Sequence, residues 1–329
     1  MTTELILAAL ASLSASLFLG RWLIPQLGRL KFGQIVRDDG PSSHLGKKGT
    51  PTMGGLLFLV PALTLLIAKT LTDKAVSSSI MALLVLVAGF GLVGLADDSL
   101  KVVFKRPLGL KARYKLAGQF AVMSVAAILF YSSGHDTVLV MPFSSISLDL
   151  GILYWPFFAV LVVGFSNGVN ITDGVDGLAG STVLITLLSY VVVGVLSGSA
   201  AVTFSAATTA AAVLGFLYYN RHPAKVFMGD VGSLALGGLL AGLAVMSKTE
   251  LHLLILGAVF VFEAFSSTLQ VVYFRITGGK RFFRMAPYHH HLELGGWSEQ
   301  RVVIAFALTA LFCALVGLAS YWPHIAAAR

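Results

Sequence analysis

Long, sparsely charged apolar runs constrain this chain more than any other feature. They lie at about 4–24, 52–70, 77–95, 116–132, 150–167, 181–197, 199–218, 232–247, 251–274 and 302–322. Most approach the roughly 18–25 residues that a helix needs to cross about 30 Å of hydrocarbon. Ser197-Gly198-Ser199 divides a stretch too long for one crossing. With 57% hydrophobic and only 12% charged residues, the chain lacks the polar surface of a water-soluble globule, for which roughly 25% charged is usual. The sequence therefore predicts an all-α polytopic membrane protein of about ten transmembrane helices, folded as a single domain over 1–329. The first run carries Glu4, lacks a small-residue cleavage site and continues to Trp22. It reads as a span rather than a signal peptide. The lone cysteine, Cys313, excludes an internal disulfide.

Charge placement orients the spans. Apart from Lys69, Lys74, Lys248 and Arg329, all 23 Lys and Arg fall in four connections, 21–50, 96–115, 219–230 and 275–301. The positive-inside rule puts these four in the cytoplasm. Both termini are then extracytoplasmic, as an even number of spans requires. The net charge of +8 is accounted for in the same way and does not point to nucleic acid. Segment 133–149, without Lys or Arg, falls outside, and its partly alternating VLVMPFSSISLDL predicts a short hairpin.

Acids gather on the inner side. GFSNGVNITDGVDGLAGS (164–181) sets Asn167, Asn170, Asp173 and Asp176 at every third position among glycines. Glycine recurs too often here for a plain helix, so the stretch is expected to be an inner connection. Its four polar groups either converge on one side or cap an ordinary glycine turn. Asp97-Asp98 ends a span, where it reads as a polar helix end or as a pair dividing metal and substrate contacts. Asp230, between Gly229 and Gly232, reads as an N-cap or as a ligand residue at a close backbone approach. His289-His290-His291 suits phosphate or nucleotide binding better than an incidental polar loop, and either better than zinc, since consecutive histidines do not share a helical face. Glu263, in the middle of an apolar run, is expected to face the protein interior and to mark a break or bend. No chemistry is assigned to it.

Carboxylates beside lysines and arginines on one membrane face suggest a magnesium-dependent phosphate site. Mg²⁺ takes hard oxygen ligands, typically one or two carboxylates plus substrate phosphates. No GxxxxGK[ST] loop is present. A cytoplasmic face suits a soluble nucleotide-linked donor, and the membrane suits a lipid acceptor.

KKGTPTMGG (47–55), LADDSLK (95–101), NGVNITDGVDGLAG (167–180), VFMGDVGSL (226–234) and APYHHHLE (286–293) occur in that order along the whole chain. Together they resemble the MraY family, the phospho-N-acetylmuramoyl-pentapeptide transferases of the wider polyprenyl-phosphate N-acetylhexosamine-1-phosphate transferase superfamily. The resemblance implies Mg²⁺-dependent transfer of phospho-N-acetylmuramoyl-pentapeptide from UDP-MurNAc-pentapeptide to undecaprenyl phosphate. Lipid I and UMP result, in the first membrane step of peptidoglycan synthesis. It implies a multi-pass protein of the bacterial cytoplasmic membrane with a cytoplasmic active site, a homodimer, and lipid held in a sideways-opening apolar groove beside 251–274. It also assigns roles by motif. Asp230 is the Mg²⁺ ligand, Asp97 and Asp98 the essential pair, and His289 the essential first histidine. Asn167, Asn170, Asp173 and Asp176 bind the nucleoside, Phe227 stacks on uracil, and His290 and His291 lie near uridine and sugar. Lys48, Lys101 and Lys115 meet substrate, the last two its phosphates. A sibling enzyme using UDP-GlcNAc is the near alternative. A secondary transporter is the distant one, disfavoured because the acids cluster at the inner rim and no repeated halves are visible.

Overall fold

Residues 2–29, 49–73, 77–104, 106 and 108–328 are described in the structure, a computed structural model. The helices are α1 (Thr2–Arg29), α2 (Leu56–Thr72), α3 (Ser77–Val102), α4 (Ala112–Ser132), α5 (Tyr154–Thr172), α6 (Leu178–Leu196), α7 (Ala200–Asn220), α8 (Asp230–Met246), α9 (Glu250–Leu256), α10 (Ala258–Ile276), α11 (Tyr288–Glu293) and α12 (Glu299–Ala328). Among the described residues, eight helices are long and apolar enough to cross a membrane. Apolar α2 and α8 have 17 residues each, the short end of the spanning range.

α8 is the axis of the bundle, and every residue from Val231 to Val245 is buried. Its neighbours include α2, α3, α5, α6, α7 and α9. The sequence DVGSLALGGLLAGLAVM explains the position. Small residues let helices approach closely where lipid offers no hydrophobic drive toward association. A side chain at Gly237 would collide with the backbone of α5 at Phe165. α1, α4, α10 and α12 lie outside and expose Phe18, Ile128, Phe265 and Leu308, as helices facing acyl chains would.

Two expectations need correction. The glycine-rich stretch is helical as far as Thr172, so α5 outruns the apolar run ending near 167 and contains Gly164 and Gly168. The glycine penalty, about 1 kcal/mol per site, is outweighed by packing. A Cβ on Gly168 would stand 3.1 Å from the Phe260 carbonyl, so its absence admits α10. Only 173–177 form the turn. The run 251–274 does break, but at Gly257, between α9 and α10, and not at Glu263.

The predicted hairpin is present: β1 (Val138–Val140) pairs antiparallel with β2 (Ser147–Asp149) in the register Leu139↔Leu148. It follows α4, which packs antiparallel to α3, with Val122 at Gly89 and Val93 at Gly118. The hairpin thus lies at the end of the bundle opposite Asp97-Asp98.

At that end Lys248 Nζ is 2.9 Å from His135 Nε2, and Tyr154 donates to Glu250 at 2.6 Å. Burial, reinforced by the Lys248 ammonium and opposed by Asp136, lowers His135 from the ordinary 6.5 to about 4. The unfolded chain therefore binds a proton that the folded chain refuses between those values. Stability supplied by neutral His135 is complete above pH 6.5 and lost as pH falls toward 4. Thermal unfolding in detergent is expected to show a smaller loss of Tm from pH 7 to 4 in His135→Gln than in the parent. Equal losses would remove His135 from this account.

Candidate active site

The site is built where α3 meets the first turn of α8. Gly94 lies one turn before Asp97-Asp98, and a Cβ there would collide with the carbonyl of Asp230. α8 starts after Gly229, whose φ of 75° is left-handed and favours glycine. Asp98 Oδ2 accepts the Val231 N–H at 3.0 Å. It thereby satisfies one of α8's free N-terminal donors from a different helix and puts negative charge at the positive end of the dipole. Asp97 Oδ1 accepts the Leu110 N–H at 2.7 Å, which ties the connection before α4 to the pair. One carboxylate oxygen each from Asp97, Asp98 and Asp230 lie within 4.8 Å of one another.

Two lysines and one carboxamide surround these acids. Lys101 Nζ contacts Asp97 Oδ2 and lies 3.2 Å from Asp230 Oδ2. Lys115 Nζ donates to Asp230 Oδ2 at 2.7 Å and to Asn170 Oδ1 at 3.3 Å. Asn170 Nδ2 in turn donates to Asp230 Oδ1 at 3.0 Å and to Ser233 Oγ at 2.8 Å. The N-cap position of α8 is Gly229, not Asp230, and the Asp230 side chain is held by Lys101 of α3, Lys115 of α4 and Asn170 of α5.

The other sequence candidates divide. Asp173 caps α5 beside this cluster. Burial, with Asp230, Asp98 and Asp176 around it, pushes its carboxyl well above the usual carboxylate range. His289 is fully buried, and its Nε2 abuts Gly174, where a Cβ would collide with it. Asn167 sits one turn deeper, paired with Gln119 at 2.9 Å. Asp176 turns away, accepting the Ala224 N–H at 3.0 Å and lying 3.3 Å from His222 Nδ1. Phe227 is half-buried, and its strand-like segment is bonded to 51–55 through Phe227 N to Pro51 O and Gly54 N to Phe227 O, both 2.8 Å. That pairing brings the TPTMGG and VFMGD motifs side by side. His290 is bonded to Glu293 at 2.7 Å, while His291 accepts the Arg284 N–H at 3.0 Å and stacks on Tyr288. Lys48 lies outside the described residues.

Some site neighbours had no sequence assignment. Gln119, Ser233 and Asn220 are single polar residues in or beside apolar helices, a signal too common to single them out. Asn220 accepts the Gly177 N–H at 3.0 Å and donates to Val226 O at 2.9 Å, holding the 173–177 turn to the VFMGD segment. Asp176, His222 and Glu299 form a second close group, beside a groove of 680 Å³ walled by Leu13, Leu17, Leu214 and Ile304.

Residues 80–248 match glycosyl transferase family 4. Residues 47–59 match signature 1 of the phospho-N-acetylmuramoyl-pentapeptide-transferases. A helical membrane protein with this match is a phosphoglycosyl transferase. Proteins named phospho-N-acetylmuramoyl-pentapeptide-transferase align over nearly their whole length. That of Desulfitobacterium hafniense is 46% identical over 336 residues, covering 98% of each chain. That of Desulforamulus reducens is 46% identical, covering 95% of this chain and 94% of its own. That of Halalkalibacterium halodurans is 45% identical, covering 95% and 96%. The chain belongs to the phospho-N-acetylmuramoyl-pentapeptide-transferase family and is a multi-pass bacterial membrane protein.

Proposed function

We propose that this protein transfers phospho-N-acetylmuramoyl-pentapeptide from UDP-MurNAc-pentapeptide to undecaprenyl phosphate, releasing UMP and forming lipid I. One observation carries the reading. Three carboxylates within 4.8 Å are flanked by Lys101, Lys115 and Asn170 at the basic end of an apolar bundle. Ten crossings, outward termini, a single domain, the cytoplasmic membrane and a homodimer belong to the same proposal. The positive-inside distribution supports its orientation.

The donor set fits Mg²⁺. It offers hard oxygens only, and three carboxylates against two ammonium groups leave surplus negative charge. Asp230 would hold the ion, with Asp97 and Asp98 beside it. When bound, Mg²⁺ neutralises charge on the donor pyrophosphate. Lys101 and Lys115, both against Asp230, would pair with the same phosphates and stabilise the charge that shifts onto the leaving UMP. An acceptor phosphate oxygen forms the new P–O bond as the bond to UMP breaks. Asp97 or Asp98 takes the proton of the acceptor phosphate when it is monoprotonated. Asp173 and Phe227 bind the nucleoside end, which Asp176 borders from its contacts with Ala224 and His222. The exposed apolar face of α10, with Phe265, Val272 and Ile276, offers a track for the polyprenyl tail.

UMP release from radiolabelled UDP-MurNAc-pentapeptide, with and without undecaprenyl phosphate and Mg²⁺, tests the whole reading. Turnover of UDP-GlcNAc with none of the muramoyl donor would defeat it. Exchange of UMP without acceptor would replace direct attack by an enzyme-linked intermediate. Asp173→Ala is expected to raise the donor KM about tenfold, since losing a hydrogen bond and leaving its buried partner unpaired costs about 1–3 kcal/mol. A change confined to the acceptor KM would take Asp173 out of the nucleoside site.

A further inference from the structure

Glu263 is an acid in the interior of α10 with no exposed surface, and burial of a charge there is costly. Its Oε1 accepts the His289 N–H at 3.2 Å, and its Oε2 lies 2.7 Å from His289 Nδ1. Ser266, one turn on, accepts the Tyr288 N–H at 3.1 Å. Two side chains of α10 thus take up the first free N–H donors of α11 and fix where the triple histidine starts. Only Glu263 also grips the imidazole. The opposite nitrogen, Nε2, is buried with no partner and points at Gly174, next to Asp173.

We propose that Glu263 is a positioning residue that sets the tautomer of His289, keeping the proton on Nδ1 and presenting Nε2 to the 173–177 turn. An ionised carboxylate only accepts, and both of its oxygens here face nitrogen. One is a backbone N–H, so the carboxylate is held in place before the imidazole is considered. The remaining oxygen then requires hydrogen on Nδ1, which leaves Nε2 as the nitrogen available to substrate. Glutamine cannot reproduce this. Its single oxygen serves the backbone N–H or Nδ1–H, and its NH₂ opposes the other.

The inference rests on the role given to His289 above, and the test separates the two. In ¹⁵N-histidine-labelled protein, the His289 resonances, assigned by their loss in His289→Ala, are expected to report a protonated Nδ1. A carboxyl that instead donates to an unprotonated Nδ1 would overturn the inference without any variant at position 263. Glu263→Gln is expected to lower kcat at least about 30-fold, between outer-partner losses of 10–100-fold and the larger loss of a wrong tautomer, with donor KM within threefold. Ser266→Ala, which loosens docking alone, is expected to stay within threefold in kcat. Equal damage from both would reduce Glu263 to a docking residue. An inactive His289→Ala beside an active Glu263→Gln would defeat the positioning role alone, whereas an active His289→Ala would defeat the site reading on which it stands.

Discussion

Asp230→Asn is expected to lower Mg²⁺-dependent UMP release by at least about 10³-fold, or about 4 kcal/mol of transition-state stabilisation, while the protein stays folded. The side chain keeps its shape, so the packing of α8 is undisturbed. The loss is electrostatic. Asp230 is the only carboxylate of the three that both lysines reach, at 3.2 and 2.7 Å. Asparagine removes the charge proposed to hold a divalent cation and leaves two ammonium groups facing one another across a neutral amide. Replacing the Oδ2 acceptor by NH₂ would also point N–H at Lys115. Turnover across a Mg²⁺ titration, with Tm measured alongside, checks this. Turnover near the parent level at saturating Mg²⁺ would remove Asp230 from the metal role. A fall in Tm of more than a few degrees would make the loss structural.

Gly94→Ala is expected to reduce turnover about 10²-fold or more without altering any polar group. The added Cβ would occupy the space of the Asp230 carbonyl, so α3 and the first turn of α8 must separate. Overpacking of this kind costs about 1–3 kcal/mol of stability, and a shift of about 1 Å at a reacting centre costs about 10²-fold in rate. Asp98 would lose its bond to the Val231 N–H, and the three carboxylates would no longer share one position for a cation. Mg²⁺-dependence of the residual activity is the informative measurement. A parent-like rate and Mg²⁺ requirement would show that the α3–α8 contact yields without moving the site. Gly118→Ala is a useful comparison, because its Cβ would face Val93 at 3.0 Å, away from the carboxylates.

Much of this protein is legible in its residues. The lengths of the apolar runs and the placement of lysine and arginine yield the helices and the candidate face, because burial in hydrocarbon acts on each segment separately. The five motifs supply the residues of the site. The failures have a common physical origin. Gly164 and Gly168 suggested a broken helix, yet α5 continues to Thr172 because tertiary contact outweighs a local propensity. Asp176 shares a motif with Asp173, yet it turns to Ala224 and His222, because its hydrogen-bond partners come from the distant connection after α7. In the sequence Glu263 reads only as a costly acid, because its partner His289 is 26 residues away.

The sequence alone determined that this chain is a bundle of membrane helices with most of its acids and bases gathered at one end, since hydropathy and charge act residue by residue. It did not determine which of those groups meet. Asp98 reaches the Val231 N–H across 133 residues, and Lys115 reaches Asp230 across 115. Those distances close only when Gly94 and Gly229 let α3 settle on the first turn of α8. The close approach of the three carboxylates is thus a product of packing.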